Sequence, residues 1–193
     1  MRIGVLASQG AFIEHIKHLS QLKVEALPVR LAPQLDGLDG LIIPGGESTS
    51  ITRLMASSNL TEEVKKLARK GLPIFGTCAG MIILSTKNSD RDVEPLGLMD
   101  IIVKRNAFGR QVDSFETELS IPVLGAKPFP AVFIRAPLIE KTNGDVEILA
   151  RLADGTIVAA RQGNLLVTAF HPELTDDLRF HRYFLEMVTK ASL

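Results

Sequence analysis

The first apolar run, "RIGVLA" at residues 2–7, is continuous and ends in small residues. A run without polar alternation predicts a strand covered on both faces, as in a parallel sheet. The period then changes. In "GAFIEHIKHLSQL", Phe12, Ile16 and Leu19 recur at helical spacing, with Glu14, Lys17 and His18 elsewhere around the helix. "KVEALPV" and "DGLIIP" predict a second and a third strand, and "GGESTS" is a turn that opens a helix. "TEEVKKLARKG" predicts a further helix with a glycine stop, "PIFG" a fourth strand, and "CAGMIILS" the start of another helix. Alternation of this kind implies parallel strands with helices on both faces.

The middle of the chain changes character. "LGLMDIIVKRN", "SFETELSIPV" and "AVFIRAP" predict strands with no helices between them. "VEILARLADGTIVAARQGNLLVTAF" predicts a β-meander, with "DG" and "GN" as hairpin turns. "TDDLRFHRYFLEMVTKA" predicts a closing helix, with Thr175 as N-cap and two aspartates at the positive end of the helix dipole. The expected architecture is one α/β domain over residues 1–193, with a mixed, mainly parallel central sheet flanked by helices.

A length of 193 residues with 46% hydrophobic content fits one domain with a substantial core. Lys and Arg number 22, as do Asp and Glu, so there is no strong basic field and nucleic acid is not an expected partner. A single cysteine cannot form an internal disulfide. "MRIGVLASQG" has too little apolar content for a signal peptide, and no stretch approaches a membrane span. A cytoplasmic protein without a membrane partner is the expectation.

The lone thiol lies in "PIFGTCAGMIIL". An apolar strand runs into Cys78, which is flanked by Gly76 and Gly80. A strand, sharp turn and helix lift a nucleophile above the carboxyl edge of a sheet, and small residues at −2 and +2 permit the tight backbone. The amide of Ala79 then points into the same space as an oxyanion donor. A thiol nucleophile needs a base, and the base an orienting group. Of the four histidines, His15 and His18 are read as a solvated helix face, since their spacing could hold a metal but no third ligand is evident. His181 is read as packing at the edge of the core. His171 follows the strand "NLLVTAF" and opens "HPEL". The residue before proline is pushed to extended geometry, in which i and i+2 share a side, so Glu173 can accept a hydrogen bond from the imidazole. Cys78, His171 and Glu173 thus make nucleophile, base and orienter. In "LIIPGGEST" two glycines end a strand and offer backbone N–H groups to an anion. The Gly-Lys-Ser/Thr of a phosphate loop is absent, and a second oxyanion donor fits better.

Cysteine first and His-x-Glu late, on an α/β sheet, resemble the class I, triad-type glutamine amidotransferases. "PGGEST", "GTCAGM", "LGLMDIIVKRNAFGRQVDSFE", "VFIRAP" and "HPELTDD" are more narrowly similar to the glutaminase subunits of pyridoxal 5′-phosphate synthases. That resemblance runs from "GVLASQGAFIEH" almost to the C-terminus. It implies a flavodoxin-like amidotransferase fold and hydrolysis of L-glutamine through a γ-glutamyl thioester. No cofactor or metal is implied for this chain. Cys78, His171 and Glu173 would form the triad. Gly46, Glu47 and Ser48 would bind glutamine, the Gly46 region supplying an oxyanion donor beside Ala79. Arg105, Ile134 and Arg135 would also line the glutamine site. Gln9 would lie near the partner interface, where the family usually has Leu-Gln-Gly-Ala and this chain has Ser8 before Gln9. The implied partner is a (β/α)8-barrel synthase subunit that receives ammonia and makes pyridoxal 5′-phosphate. Three other readings compete: a glutaminase subunit feeding a different pathway, a PfpI-like cysteine hydrolase or chaperone, and a non-catalytic docking subunit. "RNAFGRQ" and "FIRAP" speak against the first, the late "HPE" against the second, and the intact Cys–His–Glu set against the third.

Overall fold

The computed structural model describes residues 1–7, 9–89, 93–105 and 114–191. Ser8 and residues 106–111 of the "RNAFGRQ" stretch lie outside them. The apolar runs at the start of the chain become β1 (Arg2–Leu6), β2 (Glu25–Val29), β3 (Gly40–Ile43) and β4 (Ile74–Thr77). Between them run α1 (Phe12–Gln21), α2 (Ser48–Ser57) and α3 (Leu60–Arg69), and after β4 comes α4 (Ala79–Leu84). The strands are parallel in the order β2-β1-β3-β4. Ile3, Val5, Leu41, Ile42, Ile43, Ile74 and Phe75 are fully enclosed, which is why these strands read as unbroken apolar runs.

The rest of the sheet consists of β5 (Ser85–Asn88), β6 (Met99–Lys104), β9 (Leu138–Thr142), β10 (Glu147–Arg151), β11 (Ile157–Gln162) and β12 (Leu165–Thr168). The full order is β2-β1-β3-β4-β12-β11-β9-β6-β5, with β10 paired to β11. The predicted meander is β10-β11-β12, antiparallel throughout. Its last strand inserts beside β4 in parallel, with Thr168 level with Thr77. The sheet is therefore mixed, as expected. β7 (Ser114–Leu119) and β8 (Phe129–Ile134) form a separate antiparallel ribbon. The closing helix α5 (Arg179–Ala191) packs Phe180 and Phe184 against Phe75, with ring centroids 6.2 and 5.7 Å apart.

Three local expectations are corrected. α4 has only six residues and gives way directly to β5, and β9 appears where no element was predicted. Both strands are short and half-exposed, so neither has an apolar run to announce it. Thr175 is not the N-cap of α5, which starts four residues later. Its hydroxyl instead accepts the Asp177 N–H at 3.2 Å, and Asp177 accepts the Arg179 N–H at 3.1 Å. The acidic group at the helix start is thus Asp177, which also pairs with the Arg179 guanidinium at 2.6 Å.

Candidate active site

The carboxyl ends of β3, β4 and β12 lie side by side, and each releases one segment of the site. β4 ends at Thr77 and the chain turns at Cys78 with φ 48° and ψ −101°. A non-glycine residue avoids this region, so the surrounding structure must hold it there. Two restraints are visible. The Cys78 N–H donates to the Thr168 carbonyl at 2.8 Å. The start of α4 lies so close to β3 that a Cβ on Gly80 would run into the Ile43 carbonyl oxygen. Cys78 itself is 8% exposed.

β12 delivers the base. The buried Phe170 anchors the segment, and the His171 N–H donates to the Val132 carbonyl of β8 at 2.8 Å. His171 Nδ1 lies 2.7 Å from Glu173 Oε1. Pro172–Leu174 is a single turn of 3-10 helix, not the extended run expected from the proline. The pair still meets, because the turn tucks the Glu173 carboxylate back against the ring. The Cys78 side chain lies within hydrogen-bonding reach of the same imidazole. Burial opposes a charge on His171, but the hydrogen bonds and electrostatic attraction of Cys78 and Glu173 outweigh it and lift its pKa to about 10.

β3 delivers the glycine loop. The Gly45 N–H donates to Thr77 Oγ1 at 3.0 Å, and the Gly45 carbonyl accepts the Ala11 N–H at 3.3 Å. Gly45 has no room for a side chain, because a Cβ there would strike His171 Cε1. Glu47 is the N-cap of α2: its carboxylate accepts the Thr49 N–H at 2.9 Å and the Ser50 N–H and hydroxyl at 2.7 Å each. It also pairs with Arg105 at 3.1 Å. The Ser50 hydroxyl, opposed by burial and helped by the Thr49 and Ser50 amides, holds the Glu47 carboxyl down to about 2. Ser48 Oγ is buried and has no hydrogen-bond partner among the described residues.

These segments enclose a cleft of about 460 Å³. Its walls include Gly46, Glu47, Ser48, Cys78, Ala79, Arg105, Ile134, Arg135 and His171, with Gln9 in the first loop. All the site residues expected from the sequence therefore meet in one place except Glu173, which stands behind His171. Gly45 and Thr77 were missed. The doubled glycine of "PGGEST" was the available signal for Gly45, whereas nothing local marks Thr77. A larger open groove of about 1010 Å³ runs between the β7–β8 ribbon and the start of α5 and shares Leu174 with the cleft. It contains no thiol or imidazole, so the chemistry belongs to the smaller cleft.

The expectation of a solvated His15 and His18 is wrong. Both are buried, as is His181, and the three gather behind Glu173. His15 shares the stripe of Phe12, Ile16 and Leu19, one helical turn along. Among the described residues no group of three or more His, Cys, Asp or Glu is placed to hold a metal ion. No helix there is long and apolar enough to cross a membrane.

An elbow cysteine facing a His–Glu pair across parallel strands defines a class of α/β enzyme, and a solved structure shares the fold. A crystal structure described as a glutamine amidotransferase superposes with a TM-score of 0.92 at 49% identity, covering 97% of this chain and 98% of its own. The chain belongs to the SNO glutamine amidotransferase family, whose model matches residues 5–190. Two relatives are called pyridoxal 5′-phosphate synthase subunit PdxT. The one from Dehalococcoides mccartyi is 60% identical over 189 residues, covering 97% of each chain. The one from Moorella thermoacetica is 61% identical over 188 residues, covering 97% of this chain and 100% of its own.

Proposed function

We propose that this chain is the glutaminase subunit of a pyridoxal 5′-phosphate synthase, hydrolysing L-glutamine to L-glutamate and ammonia. The observation that carries the reading is the alignment of Cys78, His171 and Glu173 at the ends of β4 and β12, in a chain of this family. His171 takes the Cys78 proton, and the thiolate attacks the side-chain amide carbon of glutamine. The Ala79 N–H and the Gly46 region stabilise the tetrahedral oxyanion; losing one such donor costs about 3–4 kcal/mol of barrier. The imidazolium returns its proton to the departing nitrogen, ammonia leaves, and a γ-glutamyl thioester remains. Water gives a proton to His171 and attacks the thioester, releasing glutamate and the thiolate. Glu173 keeps Nδ1 protonated and stabilises the imidazolium.

The substrate's own charges need partners. Arg105 and Arg135 line the cleft, and a guanidinium fork suits a carboxylate. The unpartnered Ser48 hydroxyl suits a polar group of glutamine. Arg135 sits at φ 42°, a second non-glycine residue in the left-handed region at this cleft, which suits a ligand-positioning role. The ammonia passes to a (β/α)8-barrel synthase subunit, with the Gln9 loop at the contact. The relatives' name as synthase subunits and their near-complete coverage of this chain support that partner.

The test is glutamate release from L-glutamine, with and without the cognate synthase subunit. Release that depends on Cys78 and rises with the synthase is expected. No release in either condition would contradict the reading and favour the non-catalytic or PfpI-like alternative.

A further inference from the structure

Three of the four histidines are absent from the mechanism, yet they are buried together directly behind the triad. His15 Nδ1 lies 2.9 Å from His181 Nε2, and His181 Nδ1 lies 3.2 Å from His18 Nδ1. His15 Nε2 lies 3.3 Å from Thr77 Oγ1 and 3.5 Å from Glu173 Oε2. That oxygen is the second one of the triad carboxylate. It is buried and has no hydrogen-bond partner among the described residues.

Each imidazole–imidazole contact needs one donor and one acceptor, so neutral rings admit two proton arrangements. In the outward one, His15 donates from Nδ1 to His181, and His181 donates from Nδ1 to His18. The bare Nε2 of His15 then accepts from the Thr77 hydroxyl, and the free oxygen of Glu173 is left with no donor. In the inward one, His18 donates from Nδ1 to His181, His181 donates from Nε2 to His15, and His15 carries its proton on Nε2 towards Glu173. The inward arrangement places its unfilled acceptor at the outer edge, on His18, the one ring of the three with any exposure (6%). A buried anionic oxygen is the costlier group to leave without a donor. A shift of about 0.5 Å brings the 3.5 Å approach into hydrogen-bond range.

We propose that His15 is a positioning residue of the triad: its Nε2–H holds the free oxygen of Glu173, with its own tautomer set by His181 and His18. The inference rests on the glutaminase reading. A carboxylate held on both oxygens cannot rotate away from His171. The rings are suited to a fixed arrangement because they stay neutral. Burial, and repulsion from His181, His18 and His171, push His15 well below the usual imidazole range. Burial, then His18, takes His181 to about 3. For His18, burial outweighs the opposing pull of Glu173, the Thr175 backbone and Asp176.

The test uses the full chain with its cognate synthase. Changing His15→Leu should lower kcat for glutamate release roughly 10- to 100-fold, what loss of a hydrogen bond to a charge costs. KM for glutamine should stay unchanged, and the pH profile of kcat should move. His15→Gln, whose amide N–H can reach the Nε2 position, should recover most of the rate. Unchanged kcat and pH profile in a folded His15→Leu protein would overturn the proposal. Imidazole nitrogen NMR of the unmodified protein decides the tautomers independently of any variant's folding. Neutral rings with His15 protonated on Nε2 and His18 on Nδ1 are expected at pH 8; His15 protonated on Nδ1 overturns the proposal. Absence of glutamate release from the unmodified complex would instead overturn the glutaminase reading, and the spectrum would still decide the proton arrangement.

Discussion

Cys78 works only while its backbone stays where an ordinary residue does not go. A side chain at φ 48° and ψ −101° carries strain of about 1–3 kcal/mol, which glycine would largely relieve. Cys78→Ala and Cys78→Gly should both abolish glutamate release. The glycine variant should melt higher than the alanine one by a few degrees, the reverse of the usual order, and differential scanning calorimetry reads this directly. His171 makes a second prediction. Its folded pKa of about 10 lies above the unfolded value of 6.5, so its contribution to stability is complete below pH 6.5. That contribution fades as pH rises towards 10. The melting temperature should therefore fall across this window, and the fall should be shallower in His171→Asn. Glu47 has the opposite sign. Its carboxyl is depressed to about 2 from 4.5, so its contribution holds above pH 4.5 and is lost as pH drops towards 2.

At the scale of elements, the site depends on segments that leave little spare volume. A methyl at Gly45 would displace the His171 ring without straining its own backbone. Gly45→Ala should therefore lower glutamate release by more than about 100-fold, because positioning errors of an ångström cost that much, and should also lower the melting temperature as His171 loses its hold on Glu173. Glu47→Ala removes the cap of α2 and should destabilise the protein by about 1 kcal/mol, read by urea denaturation. Much of this layout was legible in the sequence because its signals are local. The unbroken runs of β1, β3 and β4 report burial on both faces, and the glycines at ±2 report a tight elbow. "HPE" reported the His–Glu pair, although through a 3-10 turn. The histidine cluster was not legible. His15 and His18 look like solvated polar positions, and the partner that makes them a buried network, His181, lies 166 residues from His15. Polarity in sequence cannot reveal a hydrogen-bond partner supplied by a distant helix.

At the scale of the whole molecule, the cleft is assembled from widely separated parts. β12 pairs with β4 although β5 to β11 separate the two in the chain, so His171 and Cys78 meet only through long-range strand pairing. Ile134 and Leu174, two exposed apolar residues, line the cleft and suit cover by a partner. Adding the synthase subunit should raise glutamate release, and a steady-state titration of synthase against a fixed amount of this chain measures the gain. The most direct measurement is intact-mass spectrometry of the chain, with its synthase present, after exposure to a glutamine-shaped chloroketone. The lone thiol makes any cysteine adduct unambiguous. One adduct on Cys78, suppressed by excess L-glutamine and slowed in His171→Asn, is the predicted result. An unmodified mass, or labelling indifferent to glutamine, would contradict the account of Cys78 as the nucleophile of a glutamine site.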